Sequence, residues 1–116
     1  MNNELQSLTQ SLREFAEARD WEQFHSPKNL ASALAVEAAE LLEPFQWLTD
    51  EQSRHISAPK TAEVAAEAAD VFLYLLQLCD KLDIDLIEAA RMKLIVNGEK
   101  YPVATARGSS KKHSGL

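Results

Sequence analysis

Residues 63–78 read EVAAEAADVFLYLLQL. The stretch has no glycine or proline, is rich in alanine and leucine, and is long enough for a helix rather than a strand. On a helical wheel with Glu67 at zero, Glu63, Asp70, Tyr74, Gln77 and Lys81 all fall between about 280° and 360°. Valines, leucines, alanines, Phe72 and Cys79 fill most of the remaining circle. An ordinary surface helix has a wide polar face and a narrower apolar one. This one inverts that pattern, which predicts a central helix, or one covered by a second copy of the chain, over residues 60–82.

A second stretch repeats the theme. Residues 33–47 read ALAVEAAELLEPFQW, with Glu37 and Glu40 at the same i,i+3 spacing as Glu67 and Asp70. Three helical residues turn the chain by about 300°, so each pair shares one face. Both pairs sit among apolar neighbours, where a carboxylate is costly unless something positive meets it. Alanines at 31, 33, 35, 38 and 39 let a neighbouring helix approach closely. If the two helices pack antiparallel, four carboxylates face one another and repel, which raises some of their pKa values. A hard divalent cation removes that conflict. Oxygen ligands without histidine fit Mg²⁺ or Mn²⁺ better than zinc, and Mg²⁺ commonly shares its site with substrate phosphates. The Glu-x-x-His pattern of di-iron bundles is missing from both pairs.

The other elements follow from local signals. Leu5, Leu8, Leu12 and Phe15 form a one-sided stripe that predicts a helix over 3–19. An aromatic-rich connection follows, with one helical turn after Asp20. Ser26-Pro27 is an N-cap with proline at the first helical position, so the Glu37 helix runs from 27 to 42, and Pro44 breaks it. A short helix is expected after Asp50. Asp85 and Glu88 have capping-box spacing, so a further helix starts at Leu86, and Asn97-Gly98 marks its end. The expected fold is all-α, a four- to five-helix bundle that oligomerises. The domain spans 1–103, and residues 104–116 form a flexible polar tail.

Composition bounds the function. The 116 residues carry 12 basic and 18 acidic groups, a net charge of −6, which disfavours sequence-independent binding to a nucleic acid polymer. The single cysteine, Cys79, rules out an intramolecular disulfide and a cysteine metal cluster. No apolar stretch is long and uncharged enough to span a membrane, and no secretory signal pattern opens the sequence. A cytoplasmic location is expected.

These motifs resemble the MazG-like all-α nucleoside triphosphate pyrophosphohydrolases, and within them the dCTP pyrophosphatase branch. The resemblance rests on Glu37-x-x-Glu40, then Glu67-x-x-Asp70, flanked by RDWEQFHSPKNLA (19–31), FQW (45–47), EAADVFLYLL (67–76) and KLIVNGEKYP (93–102). It implies cleavage of a nucleoside triphosphate between its α- and β-phosphates, giving a monophosphate and pyrophosphate. It also implies a homotetramer in which helices of adjacent subunits complete each site. The four acids would hold Mg²⁺ against the triphosphate, with Glu40 helping to deprotonate a water. Lys93, Asn97, Lys100 and Tyr101 would bind phosphate. Trp21, His25 and Trp47 would shape the base pocket, and Tyr74 would bond a sugar or phosphate. Lys28 and Lys60 read as surface charges.

Two positions depart from the family pattern. Pro44 stands where relatives carry a helix-forming apolar residue, and Leu12 where some dCTP-preferring relatives carry a histidine. The second departure allows a base preference broader than dCTP. Two other functions share the sequence features: a non-catalytic nucleotide-binding or regulatory helical oligomer, and a structural oligomer whose acidic seam sets pairing specificity.

Overall fold

A computed structural model describes residues 3–115. They form two compact units, Asn3–Ile84 and the segment from Asp85 onward. Among the described residues there are six α-helices and no strand. The first unit holds α1 (Asn3–Ala18), α2 (Pro27–Leu42), the single-turn α3 (Asp50–Ser53) and α4 (Ala58–Lys81). The second holds α5 (Leu86–Lys100) and the single-turn α6 (Val103–Ala106).

Capping chemistry sets the boundaries. Ser26 Oγ accepts from the Asn29 amide at 3.1 Å, and Pro27 opens α2. Thr49 and Gln52 form a reciprocal capping box on α3. Ser57 caps α4, which starts at Ala58, two residues before the expected 60. Asp85 accepts from the Glu88 amide and starts α5 at Leu86, as the spacing predicts.

Helix α5 differs from expectation at its end. It runs through Gly98 to Lys100, and the Tyr101 amide still donates to the Asn97 carbonyl at 2.9 Å. Glycine ends a helix when it turns left-handed, and Gly98 does not; Pro102 supplies the stop instead. One further helical turn, α6, falls where the sequence suggests only a polar tail.

Helices α1 and α4 end in the same motif. Asp20 and Asp83 each adopt φ 54°, the left-handed position that follows a helix. At α1 the Trp21 amide donates to the Ala16 carbonyl and the Asp20 amide to the Glu17 carbonyl. At α4 the Ile84 amide reaches the Cys79 carbonyl and the Asp83 amide that of Asp80. These are Schellman caps with aspartate in place of glycine, which hid them from a reading that looked for glycine.

In the first unit α4 packs along α2 and, less extensively, against α1. Its buried hydrophobic residues are Ala16, Leu30, Leu76 and Cys79, one or two from each long helix. Burial pushes the Cys79 thiol up, away from its reactive thiolate form. Two ion pairs tie the α1 side to the end of α4: Arg13 grips Asp80 with two nitrogens, and Lys81 meets Glu22.

The Arg13 guanidinium holds the Asp80 carboxyl below its usual range, chiefly through the hydrogen bond. A depressed folded-state pKa contributes stability above the unfolded value near 3.8 and loses it as pH falls through the folded one. Asp80→Asn should lower the thermal midpoint by roughly 1–5 °C at pH 7, since the pair is partly exposed. The gap should narrow as the pH falls below 3.8 and close once it has passed the lowered folded-state value. Melting curves across this pH range check this.

Candidate active site

The α2–α4 contact brings the two carboxylate pairs together. Single oxygens of Glu37, Glu67 and Asp70 lie within 4.8 Å of one another. Glu40, one turn along α2 from Glu37, acts on both Glu37 and Glu67. Glu37 Oε2 and Glu67 Oε2 are fully enclosed, and neither has a hydrogen-bond partner. Buried polar atoms are normally paired, so two orphaned carboxylate oxygens in one cluster need an explanation.

Their electrostatics agree. The Glu37 carboxyl is pushed up to about 7, first by the hydrogen bond its protonated form makes to Glu40, then by burial and the charges of Glu40, Asp70 and Glu67. Glu67 is also raised, first by burial and then by the charges of Glu40, Asp70, Glu43 and Glu63. The cluster is thus an all-oxygen donor set whose negative charge is uncompensated. Oxygen-ligated divalent cations make contacts of about 2.0–2.6 Å, so one ion can touch all three converging carboxylates. The residues fit a divalent metal.

Beside the acids lies a cleft of about 400 Å³, walled by α1, α4 and the connection after α1. Asp70 and Tyr74 border it, and so do Trp21 and His25. Ring contacts hold the connection in place. Trp21 meets Phe15 edge-on at 5.7 Å and His25 at 6.4 Å, and the Arg19 guanidinium caps Phe15 at 3.5 Å. The aromatic loop is therefore a wall of the cleft. Trp47 is not part of that wall and is 88% exposed in the turn after α2.

Lys93, Asn97, Lys100 and Tyr101 belong to the second unit. The first three lie at helical spacings of four and three on α5, and Tyr101 packs its ring edge-on to His113 at 5.8 Å.

Two residues near the acids carried no clear signal in the sequence. Lys60, which reads as a surface charge, is half-buried. Its Nζ donates to the Pro44 carbonyl at 3.1 Å, and it shares a second cleft with Glu40, Glu43, Glu63 and Glu67. Pro44 leaves that carbonyl available at the broken end of α2, a contact invisible without the α2–α4 packing. Gln77 lines the first cleft two turns beyond Asp70.

Comparisons with known proteins agree with this arrangement. Residues 33–116 match the model of the MazG-like family. Over 114 residues, 97% of the chain, it is 40% identical to dCTP pyrophosphatase 1 of Bos taurus, covering 68% of that protein. The human dCTP pyrophosphatase 1 is likewise 40% identical, with 67% of its length covered. A crystal structure of a pyrophosphatase from Archaeoglobus fulgidus superposes with a TM-score of 0.82 at 42% identity, covering 88% of this chain and 95% of that one. The chain belongs to the MazG-like family, in the branch that includes the dCTP pyrophosphatases, and is a hydrolase.

Removing one charge from the cluster separates its two electrostatic states. Glu67→Gln should raise the thermal midpoint of the EDTA-treated protein by a few degrees, because repulsion is relieved. A millimolar divalent cation should stabilise the unmodified protein and leave this variant unchanged, since a ligand that binds only the folded state raises its stability. Scanning calorimetry with and without metal reads both effects.

Proposed function

We propose that the chain hydrolyses a deoxynucleoside triphosphate, dCTP or a related one, to the monophosphate and pyrophosphate, with Mg²⁺ or Mn²⁺ as cofactor, as part of cytoplasmic nucleotide housekeeping. The observation that carries this reading is the pair of orphaned buried oxygens on Glu37 and Glu67, in one cluster with Asp70, which also lines the aromatic-walled cleft. A bound metal would neutralise charge at the triphosphate and lower the pKa of the attacking water. Glu37, Glu67 and Asp70 are the direct ligands in this proposal. Glu40, hydrogen-bonded to Glu37, orients the set and accepts the proton of the attacking water.

Trp21 and His25 line the space for a base beside the acids. An aromatic wall binds any base by stacking, so it supplies affinity more readily than identity. Tyr74, one turn along α4 from Asp70, is the proposed partner of the sugar or a phosphate. Lys93, Asn97, Lys100 and Tyr101 are the proposed phosphate partners, since two cations and an amide on one face suit an anionic chain of phosphates.

The direct test follows the products. Pyrophosphate should appear in step with dCMP when dCTP and Mg²⁺ are supplied. Asp70→Asn or Glu40→Gln should cut the rate by about a hundredfold or more, the scale of removing one group that stabilises transition-state charge. Release of orthophosphate alone, or full activity in EDTA, would refute the reading.

We further propose that the active form is a homotetramer. Helix α5 buries none of its residues, and Met92, Leu94 and Ile95 are each more than half exposed. In the first unit Val36, Leu42 and Trp47 are exposed as well. So many large apolar side chains exceed what a lone soluble domain leaves uncovered, and burying them gains about 25 cal/mol per Å². Sedimentation equilibrium should return the mass of four chains; a single-chain mass at micromolar concentration would rule the assembly out.

A further inference from the structure

The cleft beside the acids has a few polar groups among its apolar lining, and the protein's own bonds commit part of their hydrogen-bonding capacity. Gln77 Nε2 donates to the Leu73 carbonyl at 3.2 Å. A carbonyl can only accept, so the amide must present its nitrogen there; one of its two N–H donors is used, and its oxygen is the acceptor left for a ligand. Among the described residues no donor meets that oxygen. Ser11, on the α1 side of the same cleft, donates its one hydroxyl proton to the Ser7 carbonyl at 3.1 Å and keeps only lone pairs. The walls between are apolar: Leu8, Leu12, Phe15 and Leu73. His25 and Tyr74 can each turn a donor or an acceptor to a ligand, so they fit either kind of base edge.

We infer that Gln77 is a specificity-determining residue whose side-chain carbonyl reads an exocyclic amino group, so that the cleft takes amino-bearing bases, cytosine first, over their oxo counterparts. The inference rests on the proposed nucleotide reading of the site. Gln77 lies seven residues beyond Asp70 and within about 20° of it around the helix. That places it about 10 Å along the α4 axis from the acids. One nucleotide spans a similar length from its phosphate to the far edge of its base. With phosphates at the carboxylates, the base edge arrives at Gln77.

The chemistry then discriminates. Cytosine presents an N4 amino donor and adenine an N6 amino donor, whereas thymine and uracil present O4 and guanine O6 as acceptors. An amino group satisfies the Gln77 oxygen; an oxo group sets oxygen against oxygen in a half-enclosed, apolar-walled space. Ser11 strengthens the preference. Leu12 contributes no polar group, so the amide on α4 carries the discrimination.

Calorimetric binding of non-hydrolysable α,β-imido dCTP and dUTP, in Mg²⁺, tests this without requiring turnover. The unmodified protein should bind the dCTP analogue at least about tenfold more tightly, because a site built to bond a substrate NH rejects the analogue lacking it. Gln77→Met, of similar size but without an acceptor, should bring the ratio close to one, by weakening the dCTP analogue and relieving the clash with the dUTP analogue. Gln77→Glu keeps an acceptor and should retain the preference.

Equal affinities in the unmodified protein, or tighter dUTP binding, would overturn the inference whether or not the variants fold. So would a Met variant that melts cooperatively and keeps the ratio. Pyrophosphate release measured in parallel keeps the two readings apart. No turnover of any nucleotide would sink the enzymatic proposal while the binding ratio still decides the role of Gln77.

Discussion

Helices α2 and α4 meet along a face that carries carboxylates where a bundle would ordinarily carry leucines. The constraint this sets is electrostatic. Glu37, Glu40, Glu67 and Asp70 cannot all ionise comfortably at close range, and Glu37 is accordingly held near neutral pH. The arrangement persists because the surrounding helices are alanine- and leucine-rich and pack well elsewhere. Leu30 and Leu76 anchor the contact, Schellman caps end α1 and α4, and paired charges tie α1 and the connection to α4. The first unit is thus organised around a seam whose conflict a divalent cation would resolve.

That seam also explains the placement of the cleft. Asp70 ends the acidic set and begins the cleft wall, so a single α4 face passes from carboxylates through Tyr74 to Gln77. The aromatic connection after α1 is fixed by ring contacts and by backbone bonds around Asp20, which turn a segment of loop into a firm wall. On the other side, Lys60 is drawn in among glutamates by its bond to the Pro44 carbonyl. It places one positive charge next to a strongly negative group.

Much of this was legible in the sequence, and for definite reasons. The starts of α2 and α5 are written in Ser26-Pro27 and in Asp85 with Glu88, because capping depends on a few adjacent atoms. The carboxylate pairs were legible because helical periodicity fixes which residues share a face. The left-handed caps at Asp20 and Asp83 were not, since aspartate adopts that conformation far less often than glycine. Gly98 gave a false stop, because glycine permits a left-handed turn without requiring one.

The residue order alone determined the helices, their apolar faces and the i,i+3 acid pairs, all of which depend on neighbours within one or two turns. Only the tertiary structure decided which oxygens are orphaned, that Trp21 and His25 wall the cleft while Trp47 stands apart, and that Lys60 is half-buried against the Pro44 carbonyl. It also decided that Gln77 gives one N–H to Leu73 and keeps its acceptor. These are properties of distances between segments far apart in the chain, and local periodicity carries no information about them. The acids announce a charged site from one dimension; its polarity, depth and walls exist only in three.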